Sequence, residues 1–299
     1  MIATPKTIWY DGNLMPTAMS GCSLLEHGLH YGTGVFEGIR CYETHNGPAI
    51  FRLDAHLARL QAGADVLGMT VDMDEIAQAA CDVLTANGHR NAYIRPILFY
   101  GCGSLGLDVG DELEQHAAVA SLPWKSHLGD MSDDIGVRVA TSNVRRVSAS
   151  SIPPLKLCGT YVNSILAKRE ATLAGFDEAL FVDRDGRVCE ATGENLFMVK
   201  GDEIVAVQHP DALMGITRHS VMEMVGVTQR PVYLPELVEA DEIFLTGTSA
   251  EVAPVTQLDH ASFKIGPVTR HVQALYQDAV HGRLPGFTHW LTPVIPWAA

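Results

Sequence analysis

Apolar and polar positions alternate in short runs at the start of the chain. Thr7–Tyr10 and Asn13–Pro16 flank the turn pair Asp11-Gly12, which predicts a hairpin. Residues 35–42 and 49–53 predict a second, closed by the turn-rich stretch 44–48. The period then lengthens to that of a helix. Leu57, Leu60, Ala64 and Leu67 share one face of a helix that Asp54 can cap. Ile76, Ala79, Ala80 and Leu84 share a face of another, which Asp72 or Asp74 can cap and Gly88 can end. Apolar runs at 92–100 and 117–124 read as strands of the same sheet. Residues 125–134 are polar and aperiodic, the pattern of an interdomain linker. Beyond it, strands are expected at 135–141, 178–182, 187–190, 196–199, 204–207 and 243–245, and helices at 163–173, 218–224 and 268–279. No solenoid repeat is visible. The pattern is that of an α+β protein with strands leading in each half.

Composition narrows the partners. The 299 residues suit about two domains. Lys and Arg number 21 against 35 Asp and Glu, a net charge of −14. Such a chain is repelled by nucleic acid and by an anionic membrane surface, so a small metabolite is the expected partner. The six cysteines are scattered singly, without zinc-type spacing. They read as thiols of a reducing compartment, and with no targeting segment or long apolar window the expected location is the cytoplasm. No metal is expected.

Two local features invite chemistry. The loop from Gly101 to Gly106 spells G-x-G-x-x-G after an expected strand, the mark of a nicotinamide-dependent dehydrogenase. A helix must begin at its last glycine to hold a pyrophosphate, whereas residues 107–112 carry another glycine and no apolar stripe, and a strand follows. The match reads as a glycine-rich loop. Lys156 is one of six lysines and sits among Pro153, Pro154, Leu155, Leu157 and Cys158. Desolvation there disfavours the ammonium and leaves an amine able to attack an aldehyde. On this segment alone a surface lysine snorkelling past its leucines is the favoured reading.

Ordered motifs along nearly the whole chain carry more. HGLHYGTGVFEGIR spans 27–40, Phe51-Arg52 runs through to Arg59-Leu60, and AYIRP spans 92–96. Lys156 is followed five residues on by Tyr161, then come EATGENLF at 190–197, GITR at 215–218 and TGTSAE at 246–251. In these the sequence resembles the branched-chain amino-acid aminotransferases, pyridoxal-phosphate enzymes of fold type IV. The resemblance implies a small N-terminal α/β sandwich (1–124), the linker 125–134 and a larger C-terminal β-barrel-like domain with helices (135–299), with the cofactor between them. It implies transfer of the amino group of L-Leu, L-Ile or L-Val to 2-oxoglutarate in two half-reactions, by a homodimer or higher homo-oligomer.

The same resemblance assigns roles. Lys156 would form the Schiff base with pyridoxal 5′-phosphate and move the proton. Glu190 would face the pyridine nitrogen and Tyr161 the phenolic oxygen, with Gly193 nearby. Arg59, the amides of Ile216 and Thr217, and Gly247 and Thr248 would hold the phosphate. Substrate would meet Phe36, Gly38, Arg40, Tyr93, Arg95, Trp124, Thr248 and Ser249, with Tyr31 entering from the neighbouring subunit. Period two puts Tyr93 and Arg95 on one face of their strand. His127 stands where related bacterial enzymes often have an aromatic residue, and Ser249 where Ala is common. Their added polarity keeps open a second reading, a transaminase of the same fold acting on primary amines or D-amino acids. A catalytically silent binding module is disfavoured by the set Lys156, Glu190, Arg59 and Tyr161.

Overall fold

The computed structural model describes residues 4–124 and 135–294. The expected linker 125–134 and His127 therefore lie outside the described residues. By its contacts the chain divides into two compact units. One holds Met1–Lys125, Leu155–Thr160 and Ala279–Ala299, the other Ser126–Pro154 and Tyr161–Asp278. The segment bearing Lys156 and the C-terminal tail thus fall with the N-terminal unit.

The first unit is an antiparallel sheet backed by two helices. Its strands run in the order Leu291–Pro293, Gly47–Phe51, Ile39–Thr44, Ala92–Tyr100, Gln115–Pro123, Thr7–Tyr10 and Asn13–Pro16, with Gly34–Phe36 also on Ala92–Tyr100. The first hairpin forms at the expected residues, and Asp11 and Gly12 turn it with φ of 41° and 86°. The expected run 35–42 is broken into Gly34–Phe36 and Ile39–Thr44. Glu37 and Gly38 leave the ladder there, which carries the Glu37 carboxyl into the interior. The helix Leu53–Leu67 starts one residue before Asp54, after Arg52 at φ 52°. Asp54 therefore lies in its first turn rather than at the cap, where it still opposes the helix dipole favourably. Helix Met73–Asn87 is capped by Asp72, which accepts from the amides of Asp74 and Glu75. It buries Ile76, Ala80, Val83 and Leu84 with Trp9, Ile94 and Val119 of the sheet.

The second unit is built on a mixed sheet in the order Val188–Ala191, Glu178–Val182, Val137–Thr141, Glu251–Leu258, Glu242–Gly247, Asn195–Lys200, Glu203–Val207 and Thr228–Arg230. Val137–Thr141 is parallel to both its neighbours, and the Asn195–Lys200 pairings are antiparallel. Strand Glu251–Leu258 has no counterpart in the sequence expectation, because Pro254 and the polar pair Thr256-Gln257 interrupt its apolar pattern. It is nevertheless interior to the sheet. Val139, Leu180, Leu196, Val205, Leu245 and Val255 fill one core, and Ala167, Ala171 and Phe181 fill another under the helix Tyr161–Leu173. Among the described residues no helix is long and apolar enough to cross a membrane.

Candidate active site

Lys156 lies in the first unit, where its carbonyl accepts from the amide of Phe36 at 3.2 Å and Leu157 bridges to Val35. Close approach fixes this crossing. Gly32, at φ 68°, has room for no Cβ, since one would stand 2.7 Å from the Cα of Gly159. The Lys156 Nζ sits 4.6 Å from the centre of the Phe36 ring. Burial pushes its pKa down. Glu37 and Tyr93 work against that, while Arg59 and Arg95 add to it. The snorkelling alternative does not hold, for the amine is held among aromatic and charged side chains.

Around it the first unit gathers most of the expected substrate residues. Arg95 lies over Phe36 at 4.8 Å and donates to the Tyr93 hydroxyl at 3.0 Å, so the two do share a face. Trp124 stacks on Tyr93 with ring centres 4.7 Å apart. A Cβ on Gly38 would fall 1.8 Å from the Tyr93 hydroxyl oxygen, so glycine is what lets Tyr93 reach this place. Arg40 is opposite Tyr93 in the ladder, donates to Asn91 at 3.0 Å and covers the Tyr42 ring at 4.6 Å. Tyr31 lies elsewhere, exposed, with its hydroxyl on the carbonyl of Leu105 at 2.8 Å.

Arg59 projects from the helix Leu53–Leu67 and is only 13% exposed. Its Nε and Nη2 meet the two oxygens of Glu37 at 2.6 and 2.9 Å, and His56 reaches Oε2 through Nδ1 at 2.8 Å. The amide of Gly38 also donates to Oε2, at 3.1 Å. Burial by itself would raise the Glu37 pKa, but Arg59 and His56 outweigh it and hold the carboxyl well below the usual range. Glu37 and His56 did not emerge from sequence reasoning. The only signal was the FEG step inside an otherwise apolar run.

In the second unit Glu190 is buried on the strand Val188–Ala191. Arg146 donates to its Oε1 at 2.8 Å, and the Leu213 amide and Asn195 Nδ2 donate to Oε2 at 2.9 and 3.3 Å. With these donors on its oxygens and its side chain buried, a solvated strand-end acid is ruled out. Asn195 also ties Glu190 to the helix Ile216–Met224. A Cβ on Gly215 would lie 1.9 Å from Asn195 Oδ1, so the helix start packs on the amide that holds Glu190. Gly215 caps that helix without any side-chain bond, which leaves the amides at Ile216 and Thr217 for an anion. Gly193 and Gly247 approach each other, and Thr248 and Ser249 form the turn after Glu242–Gly247. The buried Thr246 Oγ1 before that turn has no protein partner among the described residues. Tyr161 opens the helix Tyr161–Leu173.

In the first unit the buried amine of lowered pKa suits a group that carries an aldehyde, and in the second the carboxylate held by donors, the uncapped helix start and the orphaned hydroxyl suit one that carries a heteroaromatic base and a phosphate. The Gly101–Gly106 loop does not open a helix; the next regular element is the strand Gln115–Pro123. Among the described residues no cluster of His, Cys, Asp and Glu could hold a metal ion.

The sequence matches the family described as amino-transferase class IV over residues 34–258. The branched-chain-amino-acid aminotransferase of Pseudomonas aeruginosa is 37% identical over 298 residues, covering 96% of this chain and 97% of its own. Among solved structures, the T.th. branched-chain amino acid aminotransferase complexed with N-(5'-phosphopyridoxyl)-L-glutamate superposes with a TM-score of 0.91 at 40% identity, over 99% of this chain and 100% of that one. The branched-chain aminotransferase of Thermoproteus uzoniensis with norvaline gives 0.91 at 34% identity, over 97% and 100%. The chain belongs to the class IV aminotransferases, among their branched-chain amino-acid members.

Proposed function

We infer that this chain is a pyridoxal-phosphate-dependent aminotransferase that takes the amino group of L-Leu, L-Ile or L-Val and passes it to 2-oxoglutarate. The observation that carries the reading is Lys156, an amine with a lowered pKa held 4.6 Å over Phe36 in a chain of this family. The norvaline and phosphopyridoxyl-glutamate complexes of the relatives support an aliphatic donor and a dicarboxylate acceptor.

Bound pyridoxal phosphate supplies an aldehyde that condenses with amines and a ring that takes up electrons when its nitrogen is protonated. The chain's residues do the rest. Lys156 would hold the cofactor and, as a neutral amine, would carry the proton to and from the substrate Cα. Glu190, fixed by Arg146, Asn195 and Leu213, keeps a negative charge for the protonated ring nitrogen, and Tyr161 donates to the phenolic oxygen. Arg59, the amides of Ile216 and Thr217, Gly247 and Thr248 receive the phosphate, with Gly193 beside them. The Tyr93 hydroxyl, Thr248 and Ser249 orient the substrate carboxylate. Phe36, Gly38 and Trp124 give an apolar wall, Arg95 meets the second carboxylate of the acceptor, and Arg40 lies on the neighbouring strand opposite Tyr93. The exposed Leu24, Leu25, Leu29, Tyr31, Leu105 and Leu107 of the first unit support a homodimer in which Tyr31 reaches the partner's site, and a cytoplasmic location is in keeping with six free cysteines.

The test is direct. Purified protein reconstituted with pyridoxal phosphate is expected to be yellow, and borohydride followed by peptide mass spectrometry should find the cofactor on Lys156. The bound cofactor's spectrum should change rapidly with L-Leu, L-Ile, L-Val and L-Glu. Failure to take up the cofactor overturns the reading. Fast reaction with D-alanine or a chiral amine, and slow reaction with 2-oxoglutarate, replaces it by the amine or D-amino-acid reading.

A further inference from the structure

The second unit contains a cavity of about 360 Å³ at the turn between Glu178–Val182 and Val188–Ala191. That volume lies near the lower end of small-molecule sites. Arg145, Arg146 and Arg184 line it, together with Asp183, Asp185 and Asp211. The two signs are not equally engaged. Asp183 accepts from Arg187 Nε at 2.7 Å, from His209 Nε2 at 3.2 Å and from the amides of Asp185 and Arg187. Asp185 stands 3.6 Å from Arg187, and Asp211 accepts from the Ala149 amide at 2.7 Å. The acids are thus engaged by donors of the protein itself.

Two of the three arginines are not. Arg145 donates through Nη1 to the carbonyl of Val182 at 2.6 Å, a neutral partner. Neither Arg145 nor Arg184 has a carboxylate within ion-pair distance among the described residues. In a chain carrying −14, two guanidiniums without counter-ions on the wall of one hollow form a receptor for an oxyanion, which their planar donor forks can grip in pairs. Arg146, next in the chain, lines the same hollow and holds Glu190 at 2.8 Å.

We propose that this cavity binds a small dianion, a phosphate or a dicarboxylate, through Arg145 and Arg184, and that its occupancy is relayed through Arg146 to Glu190. The relay rests on the proposed cofactor chemistry, whereas the binding does not. An anion in the hollow offers Arg146 a second partner. As Arg146 turns toward it, Glu190 loses cationic support and becomes more basic. Arg146 is then a positioning residue for the carboxylate at the cofactor nitrogen.

Calorimetric titration of the full chain, loaded with cofactor so that its phosphate site is filled, tests this with inorganic phosphate and succinate in separate arms at constant ionic strength. Saturable binding is expected for at least one anion, weakened about tenfold or more in Arg145→Ala/Arg184→Ala. Without added phosphate or succinate, that variant should react with L-Leu in the first half-reaction as fast as the wild type. The single Arg184→Ala variant guards against a folding defect, since this side chain makes no bond in the fold among the described residues. Saturating anion should also shift the bound cofactor's absorption band in the wild type and not in the double variant. Absence of saturable heat, or equal binding by wild type and variant, overturns the site, and binding without a spectral shift overturns the relay. A chain that takes up no cofactor refutes the proposed function yet leaves the calorimetry readable.

Discussion

Glu37 has no exposed surface and carries a charge shared among Arg59, His56 and the Gly38 amide. Glu37→Gln keeps the shape and removes the charge, leaving the Arg59 guanidinium buried beside a neutral amide. A loss of about 3–5 kcal/mol in unfolding free energy is expected, read by denaturant titration. Lys156 should respond too. Glu37 is the chief influence holding its pKa up, so the variant's amine should stay neutral to a lower pH than the wild type's. The pH dependence of the apo-protein's reaction with an amine-selective reagent, mapped to Lys156 by mass spectrometry, checks the direction. The stability sign follows from the lowered folded pKa. Between that value and the ordinary lysine range the unfolded chain binds the extra proton, so this site's contribution to stability rises with pH across the window.

At the scale of elements, two glycines are spacers that set side-chain position. Gly38→Ala would drive a methyl into the Tyr93 hydroxyl, and Gly215→Ala one into Asn195. Each should cost about 1–3 kcal/mol in stability. Their kinetic signatures should differ: Gly38→Ala raises KM by displacing Tyr93, Arg95 and Trp124, and Gly215→Ala lowers kcat by loosening Glu190. Equal effects on both constants in both variants would refute this division. The elements also show what a sequence can disclose. Asp72 and the Asp11-Gly12 turn were legible because cap and turn preferences act over a few residues. The helix Leu53–Leu67 was legible from its stripe but not its start, since Arg52 at positive φ breaks the usual cap rule. Strand Glu251–Leu258 was not legible, because its pattern is set by neighbours on both sides rather than by an exposed face. Lys156 could be singled out by its apolar surroundings, and its partners through the family motifs. Arg146 and Glu190 stand 44 residues apart and Glu37 and Arg59 22 apart, so nothing local announces either pair.

For the whole molecule, acid and thiol chemistry give two readouts. Burial works against ionisation of Asp183, but the Arg187 amide, His209 and the Arg187 side chain outweigh it and bring its pKa to about 2. Glu37 is lowered as well. Both contribute stability that is present above the ordinary carboxylate range and is lost as pH falls through their lowered values. Thermal unfolding followed from pH 5 downward should therefore lose its midpoint mainly between about pH 4 and 2. Of the thiols, Cys41 is pushed up to about 12 by burial and Cys189 is also raised by burial, whereas Cys22 is exposed. A thiol reagent at neutral pH should label Cys22 in the native protein and reach Cys41 and Cys189 only after unfolding.

The first unit is assembled from three separate stretches of chain, and this bears on how it is made. The strand Gly47–Phe51 waits for Leu291–Pro293, which leaves the ribosome long after it. Lys156 arrives midway, after most of the sheet it joins. A nascent chain halted before residue 291 can form the helices and the central strands, yet it carries an open sheet edge at Gly47–Phe51 until Leu291–Pro293 emerges. Loss of the strand Leu291–Pro293 would leave a chain with its lysine in place and an edge ready to pair with its neighbour's.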